Sequence, residues 1–242
     1  MQSYLRWKFT VLLAVMLLQM VVRIVSIEQD WPAEFVEMTG ICLVLPAVLA
    51  MCEDKRQRAT AIVLGVVVVT LVLFVTLNVG EEPGRRHLVS HSASAIFLLY
   101  LIGTILKSLF RHVEVTIDTL MGAFCGYLLI GVVFTELFCA AQIVDPLALR
   151  GNGGPFSSAD LLGDRWQICQ YFSFATLTTL GYGDILPASS MTRSLALLEA
   201  VCGQFYLAVL VAGLVGVHAT QRLEGNSREL AAPLKSDKQL GE

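Results

Sequence analysis

The sequence predicts an all-α integral membrane protein with six transmembrane helices and a short re-entrant helix between the fifth and sixth. Three observations predict it. Of 242 residues, 55% are hydrophobic, and the mean hydropathy is +0.68. Only 15% are charged, against about 25% in ordinary soluble domains. The uncharged runs are also long: residues 61–79 contain no ionisable side chain, and about 20 apolar residues suffice to span a bilayer.

The spans follow in order. The first covers about 9–27. Arg6 and Lys8 ahead of it give the shape of a signal peptide, but Arg23 interrupts the apolar run and no small-x-small cleavage site follows, so it reads as an uncleaved span. The second, third and fourth are expected near 35–52, 59–79 and 92–110, and the fifth and sixth near 117–141 and 189–219. Between the last two lies an apolar stretch, 166–180, too short to cross ~30 Å of hydrocarbon as a helix. It is read as entering the membrane and turning back. "GNGGP", residues 151–155, is expected as a flexible outer loop, and residues 157–164 offer N-cap candidates for the short helix.

The connecting loops give the orientation. "IEQDWPAE" is acidic, whereas "CEDKRQRAT" is net basic and Lys107, Arg111 and His112 follow the fourth span. Positive loops mark the cytoplasmic side, so both termini are expected inside. "GEEPGRRHLVSH" dissents, since it falls outside by parity yet holds Arg85 and Arg86. The expected organisation is a four-helix unit at 1–112, a second unit at 113–220 and a short cytoplasmic tail at 221–242, too small for a ligand-binding domain.

Several function classes are excluded. A net charge of −3 with no basic patch argues against nucleic acid. No Ser-His-Asp set, HExxH motif, metal cluster or phosphate loop is found, so an enzyme is not expected, and neither is a cofactor or small-molecule substrate. The six cysteines form no CxxC and read as small buried hydrophobes, although Cys139 and Cys169 fall where they could approach each other. The four histidines are scattered.

"TLTTLGYGDILP", residues 176–187, breaks the oily pattern. Irregular backbone at membrane depth is tolerated only where it is buried in protein or lines a water-filled cavity. A Thr-Leu-Gly-Tyr-Gly segment can turn successive carbonyl oxygens to one side, because glycine permits positive φ. Rings of carbonyls can replace the water around an ion.

The nonapeptide "TLTTLGYGD" closely resembles the signature of potassium channels, and the resemblance extends from the fifth span through the sixth. It implies a selectivity filter at Thr179, Leu180, Gly181, Tyr182 and Gly183, with K+ as permeant ion at the carbonyls of Thr179 to Tyr182. Thr176 and Thr178 take the hydroxyl positions at the end of the pore helix, and Asp184 the acid at the outer mouth. Leu180 departs from the usual valine or isoleucine. Ala175 stands where some family members carry a glutamate that bonds behind the filter. One filter strand cannot surround an ion, so four copies must meet on an axis, and a homotetramer embedded in lipid is expected.

The resemblance also frames the sixth span. Gly203 lies where the family commonly has a hinge glycine, with close helix packing as the open alternative. Gln204, Leu207, Val211 and Val215 share one helical stripe and are expected to line the cavity, with Val211 or Val215 at the inner constriction. Glu199 is ionisable in mid-span, facing the pore helix and Thr176 or Thr178, or making a structural hydrogen bond. Glu136 resembles an acid that braces the outer pore. Between His91 and Lys107 the fourth span carries no cation, so steep voltage gating is not expected.

Overall fold

The computed structural model describes residues 7–28, 55–77, 83–111, 116–156 and 165–231. Its elements are α1 (Lys8–Glu28), α2 (Lys55–Leu77), α3 (Pro83–Arg111), α4 (Ile117–Val144), β1 (Leu149–Gly151), β2 (Gly154–Pro155), α5 (Arg165–Leu177), β3 (Ile185–Pro187) and α6 (Ser190–Ala231). Among the described residues, three helical stretches are long and apolar enough to cross a membrane: His87–Leu109, Ile117–Val144 and Ser190–Leu210. Shorter apolar stretches, Lys8–Val22 and Arg58–Leu73, lie in α1 and α2. The expected second span, 35–52, and the N-cap candidates at 157–164 lie outside the described residues.

The helix ends have local causes. Pro83 opens α3, where a proline's missing N–H is one the first turn does not use. This places the start of α3 well before residue 92 and makes helix of much of the segment read as an outer loop. Thr116 caps α4: its hydroxyl accepts from the Thr119 N–H, and the Thr119 hydroxyl accepts from the Thr116 N–H. Ser189 caps α6 by accepting from the Thr192 N–H. With 42 residues, α6 is ~63 Å long, and it runs through the boundary expected at residue 220.

The central helix is α4, which packs against α1, α3, α5 and α6, while α2 packs on α3. Leu12 of α1, Leu101 and Ile105 of α3 and Cys125 of α4 are wholly buried in one apolar core. A second core joins Phe138 of α4 to Leu149 of β1 and Cys169 and Phe172 of α5, with Phe138 edge-on to Phe172 at 4.9 Å between ring centroids. Gly131 lets α5 come this close, because a Cβ there would meet the Phe174 ring at 2.9 Å. Cys139 and Cys169 are not joined by the possible disulfide; the Cys169 thiol donates to Gln142 Oε1 instead.

"GNGGP" is not a flexible loop. It forms the turn of a small antiparallel sheet of order β2-β1-β3, with Leu149 opposite Pro187 and Gly151 opposite Ile185. The Thr192 hydroxyl and the Ala188 N–H both donate to the Ala148 carbonyl, which fastens this sheet to the start of α6. Isolated two-stranded ribbons are marginal in water; here the helices on either side hold the strands together.

At the opposite end, Asp118 of α4 caps α1. Its Oδ1 accepts from the Phe9 and Thr10 N–H groups and from the Thr10 hydroxyl. A carboxylate on these N-terminal donors also answers the helix dipole. Asp118→Ala is expected to lower unfolding stability by about 1–2 kcal/mol, seen as a lower melting temperature in detergent, whereas Asp118→Asn keeps most of it.

Candidate functional site

The site is built on the C-terminal end of α5. This helix has 13 residues, ~20 Å, and is too short to span a bilayer. It ends in a Schellman motif: Leu180 N–H donates to the Ala175 carbonyl at 2.8 Å, and Thr179 N–H donates to the Thr176 carbonyl at 3.0 Å. Glycine usually occupies the left-handed position of this motif. Here Thr179 holds it with φ 59°. A β-branched residue in that region is strained, and such strain concentrates at functional segments.

The left-handed turns then recur at every second residue, with φ 52° at Gly181 and 78° at Gly183. Alternating handedness sends successive N–H groups to one edge of the chain and carbonyls to the other. No atom lies within 4 Å of a Cβ built on Gly181 or Gly183, so φ rather than space calls for glycine there. A second N–H, that of Gly181, also reaches the Ala175 carbonyl, at 3.2 Å. One carbonyl at the helix end thus satisfies two N–H groups of the following segment.

The surroundings fix this segment at both ends. Tyr127 of α4 donates its hydroxyl to the Leu177 carbonyl at 3.0 Å, satisfying a group that the helix end leaves open. Gly203 of α6 packs on the same residue: a Cβ there would meet Leu177 Cδ1 at 2.7 Å and its carbonyl oxygen at 3.2 Å. This contact gives Gly203 a packing role, with α6 continuous through it. On the far side, the Tyr171 hydroxyl donates to Asp184 Oδ2 at 2.7 Å. This hydrogen bond to a carboxylate raises the Tyr171 pKa above the ordinary phenol value, which keeps the hydroxyl protonated and donating.

The remaining expected residues fall as follows. Thr179, Leu180, Gly181, Tyr182 and Gly183 are exposed in the single chain, with Tyr182 at 69%. Thr176 and Thr178 turn their hydroxyls back to the Phe172 and Phe174 carbonyls of their own helix. Glu199 therefore does not bond them; it is wholly buried against Ser173. Gln204 and Leu207 lie on the exposed side of α6. Val211 and Val215 lie on the same helix, with side chains outside the described set.

Glu136 has a partner on each oxygen: His91 Nδ1 of α3 at 2.6 Å and Trp166 Nε1 of α5 at 3.1 Å. It ties α3, α4 and the start of α5 together.

Sequence reasoning missed Tyr171, Ser173 and Tyr127. The available signal was a hydroxyl inside an otherwise aromatic or apolar stretch, which needs a polar partner when buried. For the fully buried Ser173 those partners are Gly131 and Glu199, whereas the exposed Tyr171 hydroxyl meets the acid 13 residues on.

Residues 124–218 match the family model Ion_trans_2, an ion channel. No curated protein and no solved structure matches the chain. The matched segment begins in α4, contains the whole α5–loop–β3 unit and ends in α6. Gly203→Val is expected to push α6 off the end of α5 and cost about 1–3 kcal/mol of stability, read as a lower melting temperature of the purified protein. The matched domain is that of a membrane channel passing ions passively, not of an enzyme.

Proposed function

We propose that this chain is the subunit of a homotetrameric potassium channel, with passive K+ conduction past the backbone carbonyls of Thr179, Leu180, Gly181, Tyr182 and Gly183. The observation that carries the reading is the alternation of left-handed residues at 179, 181 and 183 directly behind a short helix. That pattern suits a column of carbonyls able to stand in for the hydration shell of an ion. It lies inside the ion channel match, and its sequence is the potassium-type TLGYG.

The same geometry supports an assembly of several copies. A single strand offers carbonyls from one side only, so the ion needs further copies around it. The outer surface of α6 supports this: only 11% of its apolar window Ser190–Leu210 is buried within one chain. Four α5 helices would direct the negative ends of their dipoles toward the axis and favour a cation there.

Gln204, Leu207, Val211 and Val215 are proposed to line the cavity below the filter. An apolar ring at Val211 or Val215 would close it by dewetting. In a cysteine scan, 204 and 211 are expected to react with water-borne thiol reagents in open channels; protection of both would remove this face from the pore. Channel opening is proposed to depend weakly on voltage, because α3 presents no cation between His91 and Lys107. The proposed setting is the cell membrane, with both termini in the cytoplasm.

The test is ion flux into liposomes holding the purified protein, with K+ and Na+ gradients in parallel. K+ flux far above Na+ is expected. Gly181→Ala should abolish the K+ preference, because a side chain in the left-handed region costs about 1–2 kcal/mol in each subunit. Equal K+ and Na+ fluxes in the wild type would indicate a nonselective pore instead.

A further inference from the structure

Ser173 lies fully buried where α5 meets α4 and α6. Its Oγ is 2.7 Å from the Gly131 carbonyl oxygen of α4 and 2.5 Å from Glu199 Oε1 of α6. A serine hydroxyl has one hydrogen, and a carbonyl oxygen has none. The hydrogen between Ser173 and Gly131 must therefore be the serine's own. The contact between Ser173 and Glu199 needs a second hydrogen, which only the carboxyl can supply.

We infer that Glu199 is a neutral carboxylic acid that donates to Ser173, and that this relay of two hydroxyls onto Gly131 makes Glu199 a positioning residue for the selectivity filter. The surroundings agree. Oε2 of Glu199 is buried with no hydrogen-bond partner, a place suited to the carbonyl oxygen of an acid and costly for an ionised carboxylate. Among the described residues, no cation stands within ion-pair distance of Glu199. The Gly131 carbonyl is a shared anchor, since it also accepts from the Thr135 hydroxyl of its own helix at 2.8 Å.

The position of the relay gives it a role in conduction, a step that rests on the filter reading above. Ser173 precedes Ala175 by two residues, and the Ala175 carbonyl receives the Leu180 and Gly181 N–H groups. Whatever holds Ser173 therefore sets the height and rotation at which α5 delivers the filter strand. Glu199 and Gly203 lie one helical turn apart on α6, and they hold α5 at Ser173 and Leu177, also one turn apart.

Two measurements test this. The first is infrared difference spectroscopy of wild type against Glu199→Gln at neutral pH. A protonated-carboxyl stretch in the wild type, lost in the variant, is expected; loss of carboxylate bands in its place would overturn the assignment. This result does not depend on the protein conducting. The second is the K+ to Na+ flux ratio in liposomes. Glu199→Gln, whose amide donates as the acid does, should keep the wild-type ratio. Glu199→Ala and Ser173→Ala should lower it ~fivefold, the factor that goes with one lost hydrogen bond. An alanine variant that keeps the full ratio, or a glutamine variant that loses as much as alanine, would overturn the positioning role. A wild type with no K+ preference would instead reject the filter reading, leaving the infrared result to decide the proton.

Discussion

The structure around α5 answers one constraint: the backbone leaves its helix at residue 178 in the middle of an apolar, membrane-embedded domain. Polar backbone groups cannot be left to lipid. The N–H groups of Thr179, Leu180 and Gly181 are taken up by the last carbonyls of α5, those of Thr176 and Ala175. The Leu177 carbonyl is taken up by Tyr127. In the proposed reading the carbonyls that follow are left for the permeant ion, and their lack of helical partners becomes the basis of binding.

That arrangement demands rigid neighbours, and α4 supplies most of them. It offers Gly131 as a site of close approach and as a hydrogen-bond anchor, Tyr127 as a cap for α5, and Glu136 as a tie to both α3 and Trp166. The small sheet does the same beyond residue 184, where β3 pairs with β1 and the start of α6 closes on Ala148. The segment 178–184 is thus suspended between two fixed points, a helix end and a strand. This allows Thr179 to keep a left-handed φ that an isolated peptide would abandon.

Much of this was legible in the sequence. Long apolar runs disclosed the candidate membrane stretches of α3, α4 and α6, because a membrane helix is written in consecutive apolar residues whatever its neighbours. The glycines at 181 and 183 announced positive φ, since few other residues tolerate it. The third left-handed residue, Thr179, was not legible, because a threonine carries no signal for that conformation; the helix-ending hydrogen bonds impose it. The early start of α3 was hidden by Arg85, Arg86 and His87, which read as loop although Pro83 marks a first turn. The sheet was hidden by its strands of two and three residues, too short to leave an alternating pattern. Glu199 was visible as an anomaly, but its partner was not: Ser173 and Thr176 are one turn apart on α5, and only packing chooses between them.

The most direct measurement of the central claim is the structure of the detergent-purified protein in a rubidium salt, with anomalous scattering used to locate the ions. The account predicts four copies around one axis, with rubidium on that axis at the level of the Thr179 to Tyr182 carbonyls. Rubidium absent from the axis there, or an assembly without fourfold symmetry, would contradict it.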